Sequence, residues 1–351
     1  MPSDFLLYGA NGFVGSAVAR MAVQRGLRPL LAGRDAAKVG ALAAELGLEQ
    51  RAFSLEDAAA VDRALKEVKV VLHLAGPYIY TSKQMADGCL RTGVHYLDIT
   101  GEIPVYEALA ARDGEARARG VMLLPAVGFD VVPTDCLAVH LKGRLPSATR
   151  LTLAFHSEGP AGLPPGTANT VLEMAPYGNR VRRNGQLVTP ERGLKKRDID
   201  FGSGPVSAVR LTWGDVFTAY LSTGIPNIEV YSVLPAATQQ QLAMMEYVRP
   251  LFRLSAVRRF FRRQLKAGST AEERARTRTI VWGEVQDDLG HQLVARLYGP
   301  DAGVDWTGRA ALAAVQKILA GKVFPGFQTP GKAYGADFVL ECEGVRREDL
   351  D

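Results

Sequence analysis

Asp4-Phe5-Leu6-Leu7-Tyr8-Gly9-Ala10-Asn11-Gly12-Phe13-Val14-Gly15 is the stretch whose reading decides the fold. An apolar run closed by glycines at three-residue intervals, with helical periodicity after it, reads as strand, tight turn and helix. Gly9 permits the turn, Gly12 lets a pyrophosphate approach the backbone, and Gly15 lets the helix pack on the strand. The N–H groups and positive dipole end of that helix then face the phosphates, with Ala10, Asn11, Phe13 and Val14 completing the loop. The alternative is a glycine turn of structural value only.

Working outward, the first helix is expected over about Phe13–Arg25, with Val14, Val18, Met21 and Ala22 on its apolar face and Gly26 after it. Leu30-Leu31-Ala32 forms a second short strand ending in Gly33-Arg34-Asp35. An NAD site carries a carboxylate at this tip to hold the ribose 2′-hydroxyl. Here Gly33-Arg34 takes its place, and a guanidinium pairs with a 2′-phosphate. Lys38 lies one helical turn further on. NADPH is therefore expected over NADH; the other reading leaves Arg34 in solvent and turns Asp35 toward the 2′-hydroxyl.

A helix near Ala36–Leu46, a weak strand at 50–53 and a helix capped by Asp57 come next. Val70–Leu74 is a buried parallel strand ending in Ala75-Gly76-Pro77-Tyr78, and His73 within it reads as core. Ligands bind beyond the carboxyl ends of such strands, so this tip is expected over the ribose and nicotinamide. A helix at about Ser82–Arg91, a strand His95–Asp98, a helix over roughly Pro104–Arg119 and a strand Val121–Leu124 complete a doubly wound pattern. Residues 1–135 thus read as a Rossmann domain, 136–322 as an α+β substrate and oligomerisation domain, and 323–351 as a segment returning to the first. Strands in the second half are expected near 151–156, 206–213, 228–234 and 279–298. Such halves supply substrate cavities and oligomer contacts in two-domain dehydrogenases, which allows a homodimer.

The 351 residues are 47% hydrophobic and 23% charged, ordinary for a globular protein. Cys89, Cys136 and Cys342 are scattered, which excludes a disulfide framework and fits a reducing, cytoplasmic setting. No metal-binding spacing is present. The first residues leave no room for a signal or transit peptide, and no apolar run reaches membrane-spanning length. Arg249 to Lys266 contains seven basic residues and no acidic one, with Leu251, Leu254, Val257, Phe261 and Leu265 at helical spacing opposite them. This is expected as an amphipathic helix docked on its own domain, or as a surface for an acidic carrier protein or an anionic membrane to which the chain is peripheral. No nucleic-acid recognition motif accompanies the charge.

None of the eleven tyrosines has a lysine four positions later, so the proton-relay pair of short-chain dehydrogenases is missing. No G-x-S-x-G elbow or P-loop occurs. Hydride transfer remains.

Together with the opening glycines, Ala32-Gly33-Arg34, Ala75-Gly76-Pro77-Tyr78, Tyr96–Glu102 and Gly128–Asp135 resemble the saccharopine dehydrogenase-like oxidoreductases. The trans-acting enoyl reductase branch, of lipid and polyketide assembly, is the most similar. Gly166–Thr170, Val281–Glu284 and Gly326–Pro330 agree. The resemblance implies an NADP-binding Rossmann domain, an inserted α+β domain, and reduction of a carbon–carbon double bond in an acyl chain held by a carrier protein or CoA. In that reaction charge builds on the thioester oxygen and a weak acid protonates the α-carbon. Tyr78 is a candidate donor, with ring packing as its alternative. Asp98, Glu102, Asp130 and Asp135 are candidate acids, each with loop or helix capping as its alternative. Cys89 and Cys136 read as core. Two other functions stand beside this one: imine or carbonyl reduction in amine or amino-acid metabolism, and a non-catalytic NADP-binding, lipid-associated protein.

Overall fold

The computed structural model describes residues 3–162, 164–191, 193–263 and 268–350. The chain forms two compact units, Met1–Asp130 with Gly303–Ala333, and Val131–Ala302 with Tyr334–Asp351.

The first unit is built on β1 (Leu6–Tyr8), α1 (Phe13–Gln24), β2 (Leu30–Gly33), α2 (Ala36–Leu46), β3 (Gln50–Ala52) and α3 (Ala58–Leu65). It continues with β4 (Val70–His73), α4 (Tyr78–Thr92), β5 (His95–Asp98), α5 (Ile103–Ala110), α6 (Asp113–Ala118) and β6 (Met122–Leu124). The sheet order is β6-β5-β4-β1-β2-β3, with the short strand Gly326–Phe327 added beside β6. Each pairing is parallel. This is the doubly wound order, whose direction reverses between β1 and β4. Register places Tyr8 beside Ala32 and His73, and His73 beside Asp98, so the carboxyl ends share one edge. β1 and β4 are fully buried, as strands covered on both faces must be.

Two differences from the sequence reading concern helices. α4 begins at Tyr78, four residues before the expected Ser82, and the 104–119 stretch is two helices broken at Ala111-Arg112. A third concerns the unit boundaries. Thr307–Leu319, expected in the second domain, is a helix of the first unit. It lies on α1 because Gly308 has no Cβ; one there would sit 3.0 Å from the Met21 methyl. The segment 323–351 does not return whole. Gly326–Phe327 joins the first sheet, while Arg346–Leu350 pairs antiparallel with Gln292–Gly299 in the second.

In the second unit α7 (Val132–Arg144) packs on a mixed sheet containing β7 (Arg150–Glu158). Gly283 makes this possible, since a Cβ there would press on Leu137 and Leu141 at 2.8–2.9 Å. Across the sheet run Lys196–Asp200, Pro205–Leu211, Asn227–Ser232, β7, Arg278–Gln286, Gln292–Gly299 and Arg346–Leu350. Asn227–Ser232 is parallel to β7, and the other neighbours are antiparallel. Ala154, Ile199, Phe201, Tyr231, Ile280 and Trp282 form a buried cluster on one face. Arg197 reaches across it to the Trp282 ring, 5.2 Å from the centroid, so the first strand of this order bends over the fifth.

The basic stretch is not one helix. A 3-10 turn, Arg249–Arg253, precedes a helix limited to Ser255–Arg262, and Leu251 and Leu254 point outward rather than into the domain. Leu265 and Lys266 lie outside the described residues. Among those described, no helix is long and apolar enough to cross a membrane.

Candidate cofactor and active site

The first candidate residues follow β1. Gly9 has φ 88°, and its N–H donates to the Ala32 carbonyl at 2.8 Å, tying the turn to β2. A Cβ at Gly9 would lie 2.8 Å from the Leu74 carbonyl carbon, and one at Gly15 would collide with the Gly9 oxygen. The loop is therefore a cradle that side chains would fill. Asn11, Gly12 and Phe13 are exposed at its mouth. α1 starts here with no side-chain cap and no acidic residue in its first turn. Its first N–H groups thus remain open to an anion.

At the tip of β2 a Cβ on Gly33 would strike the Asn11 amide oxygen at 2.8 Å. Asp35 caps α2: its Oδ1 accepts from the Lys38 N–H at 3.1 Å, and its Oδ2 pairs with the Lys38 ammonium at 3.2 Å. The backbone hydrogen bond from Lys38 comes first among the causes that hold the Asp35 carboxyl below its usual range. Arg34 is exposed and has no ion-pair partner among the described residues. A helix cap thus occupies Asp35, Lys38 is turned onto it, and Arg34 is the unengaged cation.

After β4 the chain turns through Leu74-Ala75-Gly76-Pro77, with a cis peptide at Pro77. The Thr81 hydroxyl donates to the Ala75 carbonyl at 2.7 Å, so it accepts from His73 Nε2 at 3.0 Å. His73 is fully buried, which pushes its pKa down to about 3 and keeps it neutral. Tyr78 is buried, edge-on to the His73 ring with centroids 5.4 Å apart. Its ring lies under Gly76, where a Cβ would come within 3.3 Å of it. Burial, then the charges of Asp98 and Glu102, raise its pKa well above the usual tyrosine value. Tyr78 therefore supports the turn from beneath.

The acidic candidates separate sharply. Both oxygens of buried Glu102 accept from the start of α4, Oε1 from the Tyr78 N–H at 2.9 Å and Oε2 from the Ile79 N–H at 2.7 Å. A carboxylate there satisfies orphan donors and complements the helix dipole, which explains the early start of α4. Buried Asp98 takes the Tyr96 hydroxyl at 2.6 Å, the Thr100 N–H at 3.0 Å and the Ala126 N–H at 2.9 Å. These bonds fix Ala126 at φ 61°. Burial still lifts the Asp98 pKa to about 6. Asp135 belongs to the second unit and accepts from the Ser222 hydroxyl at 2.6 Å.

Asp130 is unlike the others. Its Oδ1 is buried without a hydrogen-bond partner, although the residue as a whole is partly exposed. Oδ2 rests on Gly101, where a Cβ would overlap it. Burial, then the Glu102 charge, push its pKa up to about 7. Next to it the Phe129 N–H donates to Thr307 Oγ1 at 3.1 Å, and the Phe129 ring meets Trp306 edge-on with centroids 5.4 Å apart. Trp306 is fully buried and its indole N–H has no partner. A buried acid and a buried donor with spare hydrogen-bonding capacity thus flank one phenylalanine. Trp306 and Thr307 carry no local signal that would find them, because they lie far along the chain from Asp130. Cys89 and Cys136 are buried, as expected.

Residues 5–124 match a family model described as the saccharopine dehydrogenase NADP binding domain. This region is a saccharopine dehydrogenase-type NADP-binding domain. The cradle, the uncapped helix start and the unengaged Arg34 fit that dinucleotide. Curated relatives of the chain include a trans-acting enoyl reductase of Mycobacterium leprae, 33% identical over 150 residues, covering 40% of this chain and 36% of that protein. A putative trans-acting enoyl reductase of Mycobacterium tuberculosis is 28% identical over 213 residues, 55% of this chain and 50% of that protein. A saccharopine dehydrogenase-like oxidoreductase of Mus musculus is 25% identical over 186 residues, 46% and 43% of the two chains. The matches thus span half or less of these relatives. Apo saccharopine dehydrogenase (L-Glu forming) from Saccharomyces cerevisiae superposes with a TM-score of 0.68 at 14% identity, over 99% of this chain and 100% of that one. The NADP-binding domain and the second sheet unit therefore share the saccharopine dehydrogenase fold.

Proposed function

We propose that the chain is an NADPH-dependent reductase of the carbon–carbon double bond in enoyl thioesters, with a hydrophobic acyl chain carried by CoA or a carrier protein. The names of the mycobacterial relatives support the reaction class. The observation that carries the chemistry is Asp130, whose carboxyl has a free buried oxygen and a pKa of about 7.

The glycine loop and the first turn of α1 would hold the pyrophosphate, and Arg34 would pair with the 2′-phosphate. Ala75, Gly76 and Pro77 would line the ribose and nicotinamide, with Tyr78 bracing that turn. NADPH, when bound, supplies a hydride for the β-carbon of the enoyl thioester. As the double bond accepts it, negative charge moves to the thioester oxygen. Asp130, in its neutral form, delivers its proton to the α-carbon, is left as a carboxylate and regains a proton from water. A carboxyl titrating near neutrality suits this donation.

The test is NADPH oxidation by the purified chain with trans-2-enoyl thioesters of CoA and of a carrier protein. With C4-deuterated NADPH the saturated product should carry deuterium at the β-carbon. Inert enoyl thioesters, alongside turnover of an imine or carbonyl, would overturn the reading. In the same assay Arg34→Ala should weaken NADPH about 10- to 100-fold, as loss of a charge-assisted pair predicts. NADH should be affected little; equal losses would remove Arg34 from the 2′-phosphate.

A further inference from the structure

The basic stretch divides its arginines by helix face. On the inner face Arg258 Nε pairs with Glu173 Oε2 at 3.0 Å, and Arg262 Nε bonds Asn169 Oδ1 at 2.8 Å while its other nitrogen pairs with Glu173. Glu173 is buried on the helix Pro165–Met174. Phe252 is buried and stacks on Phe261, centroids 5.4 Å apart. These contacts clamp the helix Ser255–Arg262 to its own unit.

On the outer face Ala256, Arg259, Phe260 and Arg263 recur at i, i+3, i+4 and i+7, and all are exposed. Arg253, Arg259 and Arg263 have no ion-pair partner among the described residues. Beside them Met244, Val248, Leu251, Leu254 and Phe260 are between 42% and 68% exposed. Single exposed apolar residues are ordinary, but a run of them interleaved with free cations marks an interaction surface.

We propose that this outer face, Met244 to Arg263, docks on an anionic lipid surface. The proposal stands on the surface alone and does not depend on the reductase reading. The apolar side chains are exposed on a helix end, a turn and a second helix, which suits insertion between headgroups. The free guanidinium groups match lipid phosphates and carboxylates. The inner clamp keeps the face presented while leaving its own two arginines out of the contact.

The experiment is flotation of the full chain with vesicles of phosphatidylcholine alone, and of one part phosphatidylserine to three parts phosphatidylcholine. The wild type should float with the anionic vesicles only, and less so as salt rises. Arg259→Glu with Arg263→Glu, and separately Leu254→Ser with Phe260→Ser, should each lower that binding at least about ten-fold. The charge-reversal pair should keep the wild-type melting temperature, because Arg259 and Arg263 are not part of the clamp. Phe260 meets the Phe261 ring edge-on at 5.6 Å, so the Ser pair should melt slightly lower while staying folded at the assay temperature. Failure of the wild type to float, unchanged binding by the folded charge-reversal pair, or binding of an acidic carrier protein in place of vesicles would overturn the proposal.

Discussion

The tip of β5 and the loop after β6 both bring carboxylates to one edge of the same sheet, yet they treat them in opposite ways. At the tip of β5, Asp98 accepts from Tyr96, Thr100 and Ala126, and Glu102 from Tyr78 and Ile79. In the other loop Asp130 keeps a buried oxygen with no partner. Burial alone does not make a carboxyl reactive. What separates the two places is how many N–H and O–H groups converge on the oxygens. Burial lifts Asp98 to about 6 and Asp130 to about 7, but where donors converge the acid is architecture, and where they do not an oxygen is left free to exchange a proton.

The sharpest way to break this contrast is Asp130→Asn. Turnover should fall about 100-fold or more, with NADPH affinity unchanged, since a general acid contributes on that scale. The wild-type rate should fall as pH rises through about 7, because the donating form is the neutral acid. Stability should fall with rising pH as well, over a lower window. The folded-state pKa lies above the unfolded value, so Asp130 costs stability increasingly from about pH 4 up to about 7. Thermal melts at pH 8 should therefore find the Asn variant no less stable than wild type. A variant that is both active and destabilised would erase the distinction.

Glu102→Ala tests the opposite pole. It leaves the Tyr78 and Ile79 N–H groups without an acceptor and should cost on the order of 2–3 kcal/mol in denaturant unfolding. Hydrogen exchange should show α4 fraying back to near Ser82. Glu102→Gln should restore part of the loss, having one acceptor oxygen. A smaller effect is expected from Tyr96→Phe, about 1 kcal/mol, because Asp98 keeps its two backbone donors. It should also raise the Asp98 pKa above its present value of about 6, since the Tyr96 hydrogen bond lowers it.

How much of this was legible depended on sequence distance. The β1 turn, α2 and the parallel strands follow from local signals, glycine spacing and unbroken apolar runs. The start of α4 does not. Tyr78-Ile79-Tyr80-Thr81 is aromatic and β-branched, a poor helix opening by propensity, and the cap that overrides it comes from Glu102. Asp130 is visible as an acid near a strand end, but its unsatisfied oxygen and the packing of Trp306 on the adjacent Phe129 are properties of the fold. The basic stretch misled for a related reason. Periodicity placed Leu251 and Leu254 inside, whereas the Glu173 clamp begins at Arg258 and leaves them outside.

The helix Thr307–Leu319 and the strand Gly326–Phe327 complete a sheet whose other strands all lie before residue 125. A ribosome therefore releases the nucleotide fold's last pieces more than three hundred residues after its first strand. Until then the nascent chain carries α1 with its packing partner still unmade, a state suited to chaperone capture. Cutting the protein after Asp130 would accordingly yield an unfinished half rather than a minimal cofactor-binding module.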